Sequence, residues 1–235
     1  MKRIALLLGA LALLIAGSTH AQESAPLRLV QTIALSNVEG RIDHLAVDLK
    51  GQRLFVACAN TNAVWVLDLA TRSAKEQIAI ALFPDVPPGS TPNALGLSPD
   101  GKTLLVANAD NNTVAVVDIE SPARSEVEGF IPTGWYPTGV MFSKDGTKIY
   151  VLSGKGLTSQ ANPRGFQPGI RGAEGQYSGA LLLGSLSIVP TPDATALKAM
   201  TKTVYSLTPL TASSTLSPTS APVASPIPKK VGGPS

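Results

Sequence analysis

Residues 40–69, GRIDHLAVDLKGQRLFVACANTNAVWVLDL, superpose on residues 90–119, STPNALGLSPDGKTLLVANADNNTVAVVDI, with a constant shift of 50 and no gap. Leu45 falls on Leu95, Gly51 on Gly101 and Val56-Ala57 on Val106-Ala107. Asn62, Val64, Val66 and Asp68 fall on Asn112, Val114, Val116 and Asp118, so that about ten of twenty-five aligned positions are identical. A repeat leaves a chain few options, because each unit must bury its apolar face against a neighbour of the same kind. Within the unit three short apolar runs, Ala94–Leu97, Leu104–Ala107 and Val114–Val117, alternate with turn residues. The breaks are Ser98-Pro99-Asp100-Gly101 and Asp110-Asn111-Asn112. Asp-Gly supplies the positive φ of a tight β-turn, and Asp and Asn tolerate the same region. Runs this short and this rich in Val and Leu are strands, three of them antiparallel.

A third copy begins at Tyr136, YPTGVMFSKDGTKIYVLSGKG, now with a shift of 45 that places Gly146 on Gly101, Ile149 on Leu104 and Val151 on Val106. Fourth strands follow the first two copies, at Ala74–Ile80 and Glu126–Ile131. A four-stranded sheet every 45 to 50 residues is the signature of a β-propeller blade. The expected organisation is propeller repeats over 22–190, with blades at 36–80, 90–131 and 136–190 and one leading strand at 26–35. In the third blade residues 154–182, rich in Gly and polar side chains, read as a long loop inserted between two strands, and Gly184–Val189 resumes the sheet. Loops of that length are functional or disordered. A short helix or linker is expected over 191–205, and the Ser/Thr/Pro-rich tail 206–235 as disordered.

Part of the 44% hydrophobic content lies outside this pattern. Residues 1–21 place Lys2 and Arg3 before an apolar run from Ile4 to Ala16, then small residues with Thr19 and Ala21 at the positions a signal peptidase reads. The run is shorter than the roughly 20 residues that span a bilayer. The expectation is a leader cleaved after Ala21, a periplasmic or secreted protein and no stable membrane anchor. Without Lys2 and Arg3 the formal charge falls from +3 to +1, and without Lys229 and Lys230 to −1. The globular part therefore has no positive excess with which to attract nucleic acid. The single cysteine, Cys58, cannot form an internal disulfide and is expected in the core.

The run Val106-Ala107-Asn108, followed by a turn and a Val-rich strand, resembles the repeat of the YVTN family of β-propellers, with Tyr150-Val151 restoring the opening pair in the third copy. That resemblance covers about residues 26–190. A narrower one covers residues 129–205. GFIPTGWYPTGVMFSKDGTKIYVLSGKG, then Asn162-Pro163-Arg164-Gly165 and GSLSIVPTPD, is similar to bacterial YncE-like propellers fused to an alkaline-phosphatase-type phosphoesterase. The resemblance implies a propeller first and a metal-dependent hydrolase after it. The similarity stops near Tyr205, and none of the hydrolase's metal-binding or nucleophile motifs can be placed on this chain.

A two-metal phosphoesterase site needs several His and Asp ligands and a Ser or Thr nucleophile. Of the two histidines, His20 leaves with the leader, so His44 alone remains. Asp43 or Asp48 could join it in a triad, but no G-x-S-x-G elbow accompanies it. The bland reading of His44 is hydrogen bonding within or beside its strand. Gly154-Lys155-Gly156-Leu157-Thr158 lacks the order of a phosphate loop and reads as the start of a flexible loop. Asn108, Asp110 and Asn112 lack the Gly and the distal Glu of a calcium loop and read as turn residues. Asp68 and Asp118 are expected to bond turn amides, and Trp65 to pack between blades. Trp135 and Tyr136 sit in a connection between blades of the kind that often lies near the channel mouth, where the pair could stack on a ligand. Arg164 and Arg171, in the long loop, are candidates for anion or partner contact.

No catalytic residue, cofactor or metal ligand is assigned. The functional reading is a non-catalytic propeller module that binds a protein or small molecule through its loops. Two alternatives stand beside it: the accessory part of a phosphoesterase whose catalytic domain is absent, and a structural surface protein assembling through open blade edges. Three blades are fewer than the four to eight with which propellers close. Three expectations follow: the chain is the beginning of a longer protein, subunits complete one another's ring, or the gene is a degraded copy, with the loss of similarity at the Ser/Thr/Pro tail favouring truncation or a frame change.

Overall fold

The computed structural model describes residues 27–209 except 37, 39, 84–88, 159–160, 163–164, 166–174 and 176. The leader and most of the Ser/Thr/Pro-rich tail lie outside the described residues. The chain divides into two units, residues 1–32 and 33–235. In the first, residues 27–32 are exposed backbone with no regular element. The leading strand expected over 26–35 is thus not observed: its described part belongs to none of the sheets, and a strand without a ladder partner is not held in register.

The second unit is built from antiparallel sheets. β1 (Ile42–Asp48), β2 (Arg53–Cys58), β3 (Ala63–Asp68) and β4 (Ser73–Ala79) pair in chain order. β5 (Pro92–Leu97), β6 (Thr103–Asn108), β7 (Thr113–Asp118) and β8 (Glu126–Pro132) repeat that order. A third sheet has three strands, β9 (Trp135–Phe142), β10 (Lys148–Gly156) and β11 (Ser185–Pro190), with β10 in the middle. The fold is all-β and propeller-like, an incomplete ring of three blades among the described residues.

The turns follow the chemistry read from the sequence. Gly101 and Gly146 hold φ of +75° and +73°, and Ser98 and Ser143 each donate a hydroxyl hydrogen bond to the Asp two residues on. In the first blade the positive φ falls on Gln52 instead of Gly51. Asp68 Oδ1 accepts from the Thr71 amide at 2.7 Å and Asp118 Oδ1 from the Glu120 amide at 2.8 Å, the structural roles expected of them.

Strand alternation gives each sheet two apolar faces. Blade 2 buries both. Leu104, Val106, Ala115 and Val117 pack against Phe55, Val64, Val66 and Ile78 of blade 1. Leu105, Ala107, Val114 and Val116 pack against Val140, Ile149 and Val151 of blade 3. The other face of blade 1 carries Val56, Cys58 and Leu67 with Leu54 and Trp65, and Ile33, Leu35 and Val38 lie against it. Cys58 is wholly buried there, as expected, and burial pushes its thiol pKa up. Trp65 therefore points away from blade 2, not between two described blades. It alternates with Val64 and Val66 as its neighbours predict, but the neighbour on its side is the segment at 33–38.

A clamp crosses the lower end of the blade 1–2 seam. Arg53 Nη2 lies 2.7 Å from Asp48 Oδ2 and donates to the Gly101 carbonyl at 2.9 Å, while Nη1 reaches the Ile119 carbonyl. Both side chains are largely buried. The blade 2–3 seam is closed differently. Among the described residues the third blade has three strands; the chain leaves β11 and forms α1 (Ala194–Leu207), capped by Asp193, whose Oδ1 accepts from the Ala196 amide at 2.8 Å. Leu197 of α1 enters the blade 2–3 core. Thr201 Oγ1 accepts from the Phe130 amide of β8 at 2.8 Å, and Tyr205 donates its hydroxyl to the Leu82 carbonyl while its ring meets Phe83 and Phe130. The helix thereby covers an edge strand that would otherwise present unpaired backbone groups. No described helix is long and apolar enough to cross a membrane.

Candidate functional site

The turns between second and third strands and the connections between blades meet at one end of each sheet. Asn62 and Asn112, one repeat apart, both adopt left-handed backbone, with φ of +50° and +54°. Their side chains tie each turn to the chain entering the next blade. Asn62 Oδ1 accepts from the Gly89 and Ser90 amides, and Asn112 Oδ1 from the Tyr136 amide at 2.8 Å. Asn108, at the end of β6, is wholly buried and donates to the Ile80 carbonyl. Asn112 is the turn residue expected of it, whereas Asn108 is not: its side chain staples β6 to the chain leaving blade 1.

Trp135 and Tyr136 open β9 at this end. Tyr136 holds φ of +60°, a region bulky side chains rarely enter. Two contacts stabilise it there: the bond to Asn112, and Lys155, whose ammonium lies 4.0 Å from the ring centroid. Lys155 belongs to β10 and not to a flexible loop start, as its Gly-rich surroundings suggest. The register slips between Ser153 and Gly156, which oppose Pro137 and Trp135, so an extra residue of β10 bulges out and re-aims the lysine onto Tyr136. Gly156 closes the bulge with φ of +69°, and a Cβ there would collide with the Leu183 carbonyl oxygen.

Trp135 is 44% exposed and forms one wall of an open cleft of about 570 Å³. The cleft's polar lining comes from Asp110, Asn111, Asn112 and Thr133, and its far side from the end of α1 at Leu207. Asp110 accepts from the Thr91 hydroxyl and Asn111 donates to the Ser90 hydroxyl, so both side chains are held in place. Asp110 and Asn112 are turn residues as expected, yet they also line this cleft, a role their turn chemistry hid.

The structure brings Trp135 and Tyr136 together with Lys155, which in sequence reads as part of a loop start. His44 lies elsewhere, on β1 at the blade 1–2 seam. Its Nε2 is 3.2 Å from Asn93 Oδ1 on β5, a distance at which the imidazole N–H donates to the amide oxygen. It meets the bland expectation of a hydrogen-bonded histidine, with its partner on the next blade. Arg164 and Arg171 lie outside the described residues. Among the described residues no three His, Cys, Asp or Glu side chains gather as a metal site would require.

The family model described as "Lactonase, 7-bladed beta-propeller" matches residues 21–158. No curated protein matches the chain. Among solved structures, a chain of Kuenenia stuttgartiensis hydrazine synthase is similar at 28% identity and a TM-score of 0.40, over 47% of this chain and 28% of that one. A chain in the crystal structure of the mitotic checkpoint complex is similar at 15% identity and a TM-score of 0.42, over 51% of this chain and 35% of that one. The chain spans about a third or less of either.

Proposed function

This chain belongs to the lactonase, seven-bladed β-propeller family, and from that membership we propose that it is a binding module for a small polyhydroxylated ring compound. The observation that carries the proposal is the cleft walled by half-exposed Trp135 and floored by Asp110, Asn111, Asn112 and Thr133. An indole face packs on the C–H face of a saturated ring, and fixed amide, hydroxyl and carboxylate groups serve its hydroxyls. That combination of one apolar wall and a few placed polar groups is what ligand pockets need. The left-handed Tyr136, held by Asn112 and Lys155, sets the chain direction that presents Trp135 to the cleft. In this reading the repeats are of the YVTN kind, and the leader at 1–21 exports the module to the periplasm or beyond.

A second reading, catalysed opening of a lactone ring, is favoured by the family's name. One experiment separates the two: titrate the protein with a hexose, its aldonic acid and its aldonolactone, following tryptophan emission and acid release together. Binding predicts a change in emission that Trp135→Ala removes or weakens about tenfold, the size of an aromatic contact. Emission indifferent to all three compounds, or equally responsive in Trp135→Ala, sinks the proposal. Acid release above the buffer rate installs the second reading.

A further inference from the structure

The lower end of the blade 1–2 seam is filled by one side chain. The Arg53 guanidinium lies over the Phe55 ring, 5.4 Å from its centroid, beside the Asp48 carboxylate, and reaches the Gly101 and Ile119 carbonyls of the next blade. The repeat carries each of these positions onto the blade 2–3 seam. The shift of 50 turns Arg53 into Thr103, Phe55 into Leu105 and Asp48 into Ser98, and the shift of 45 turns Gly101 into Gly146. Ile119 becomes Thr191. Each follows the residue paired with the first position of its blade's second strand, Asp118 opposite Thr103 and Pro190 opposite Lys148. Each also donates its amide to the matching carbonyl, Ile119 to Lys102 at 2.8 Å and Thr191 to Thr147 at 2.9 Å.

Threonine is too short to fill what an arginine fills, and the blade 2–3 seam has a cavity of about 490 Å³ at this place, lined by Thr103, Leu105 and Thr191. That volume suits a small ligand. Phe142 brings an aromatic ring to the wall, as Phe55 does under Arg53, and Leu197 of α1 closes the apolar side. The charged lining is Glu128, Asp193 and Lys198. Glu128 is exposed and makes no ion pair among the described residues, and Asp193 caps α1. The dipole of α1 alone would favour an anion at its first turn, but the Asp193 carboxylate offsets it. Two carboxylates against one ammonium leave the lining net negative. We propose that this cavity binds a guanidinium on an aliphatic stem, in the place that Arg53 takes in the other seam. Leu105 and Phe142 receive the stem and the flat face of the cation, and Glu128 takes the part that Asp48 plays for Arg53. A guanidinium suits such a half-apolar site because it is weakly hydrated and presents a planar fork of donors. The cavity shares no lining residue with the cleft beside Trp135.

The test is titration calorimetry on the full chain with n-butylguanidinium, with n-butylurea as its neutral isostere, over about 0.01 to 10 mM, the range in which a ligand of so few atoms binds. The cation should bind at least tenfold more tightly than the urea. Thr103→Arg places a guanidinium in the cavity from the chain itself, so it should abolish binding of the added cation while the melting temperature holds or rises. Glu128→Gln, at an exposed position that keeps the fold whatever Thr103→Arg does, should weaken binding about fivefold, the size of one exposed charge contact. A peptide Gly-Arg-Gly with blocked ends separates two sources of the same chemistry. Binding as tight as that of n-butylguanidinium marks an arginine of a protein partner, and binding of the small cation alone marks a free metabolite-sized ligand. No heat from the cation up to the highest concentration, equal affinity for the urea, or binding indifferent to both substitutions overturns the proposal. Trp135→Ala should leave this binding unchanged, so its outcome is separate from that of the ring-binding cleft.

Discussion

Leu105 of blade 2 and Tyr150 of blade 3 occupy the same place in the repeat, as do Ala107 and Leu152, yet their surroundings are opposite. Leu105 and Ala107 have no exposed surface, whereas Leu152 is half exposed. Nothing local distinguishes them: both pairs lie on the second strand of a blade, alternate with inward residues and face the following blade. The difference is that blade 3 lies against Leu105, whereas no described blade lies against Leu152. Burial in a repeat protein is thus a property of the neighbour as much as of the unit, and stability is a sum of unit and interface contributions. Among the described residues blade 3 keeps its register through its own ladders, while the exposed side chains of its outer face gain little from burial.

The comparison is most sharply broken by truncating both positions. Leu105→Ala should cost about 2–5 kcal/mol, because it removes buried methyl groups and leaves a cavity between two rigid sheets. Leu152→Ala should cost under about 1 kcal/mol in the monomer, since most of its transfer free energy is never gained. Denaturant melts of both variants at low protein concentration decide the matter. Equal losses would mean the exposed face is already covered in solution.

The next largest effect belongs to the clamp of the blade 1–2 seam. Positions 48 and 53 hold Asp and Arg in blade 1, but one repeat on they hold Ser98 and Thr103, so the ion pair is not a feature of the repeat. Arg53→Ala leaves the largely buried Asp48 carboxylate without its partner and frees the Gly101 and Ile119 carbonyls, at a cost of about 3 kcal/mol. An Arg53→Ala protein that melts within about 0.5 kcal/mol of the parent would show the clamp to be an ordinary surface pair.

How much of this was legible depends on whether a partner leaves a mark in the chain. Blades 1 and 2 were readable because both sides of each ladder recur at a fixed shift, and Asp-Gly announces the turns at Gly101 and Gly146. The Arg53 clamp was not readable, because two of its acceptors are carbonyls and a carbonyl has no residue identity. Trp65 shows the same limit: its parity against Val64 and Val66 fixes the face, while the element waiting on that face is a tertiary fact. Lys155 was hidden by the bulge, since one inserted residue reverses which side chain a strand presents. The cleft beside Trp135 was half visible. Trp135 stood out as an aromatic in a connection, but Asp110 and Asn112 were fully accounted for as turn residues, and the closing wall at Leu207 comes from a helix nearly a hundred residues away.

Acid should produce the smallest effect, and it should tell the two seams apart. Burial works against the charged form of Asp48, but the Gly51 amide and the Arg53 guanidinium outweigh it and hold the carboxyl below its usual pKa of 3.8. A carboxylate whose pKa is lower in the folded state stabilises the fold above its unfolded pKa, and that contribution is lost as pH falls through the folded value. The blade 1–2 seam should therefore keep the clamp's full contribution at pH 6 and lose it progressively below about pH 4. Asp145, in the exposed β9–β10 turn, is held lower still, at about 2, by the Ser143 hydroxyl and the Thr147 amide and hydroxyl. Its contribution is local to that turn and persists to lower pH. Melting temperatures of the parent and of Arg53→Ala, measured from pH 6 down to pH 2.5, should converge as Asp48 is neutralised, because the variant has already lost what acid removes. A gap that stays constant across that range would mean that Arg53 stabilises the seam through the Gly101 and Ile119 carbonyls alone, and that the carboxylate contributes nothing.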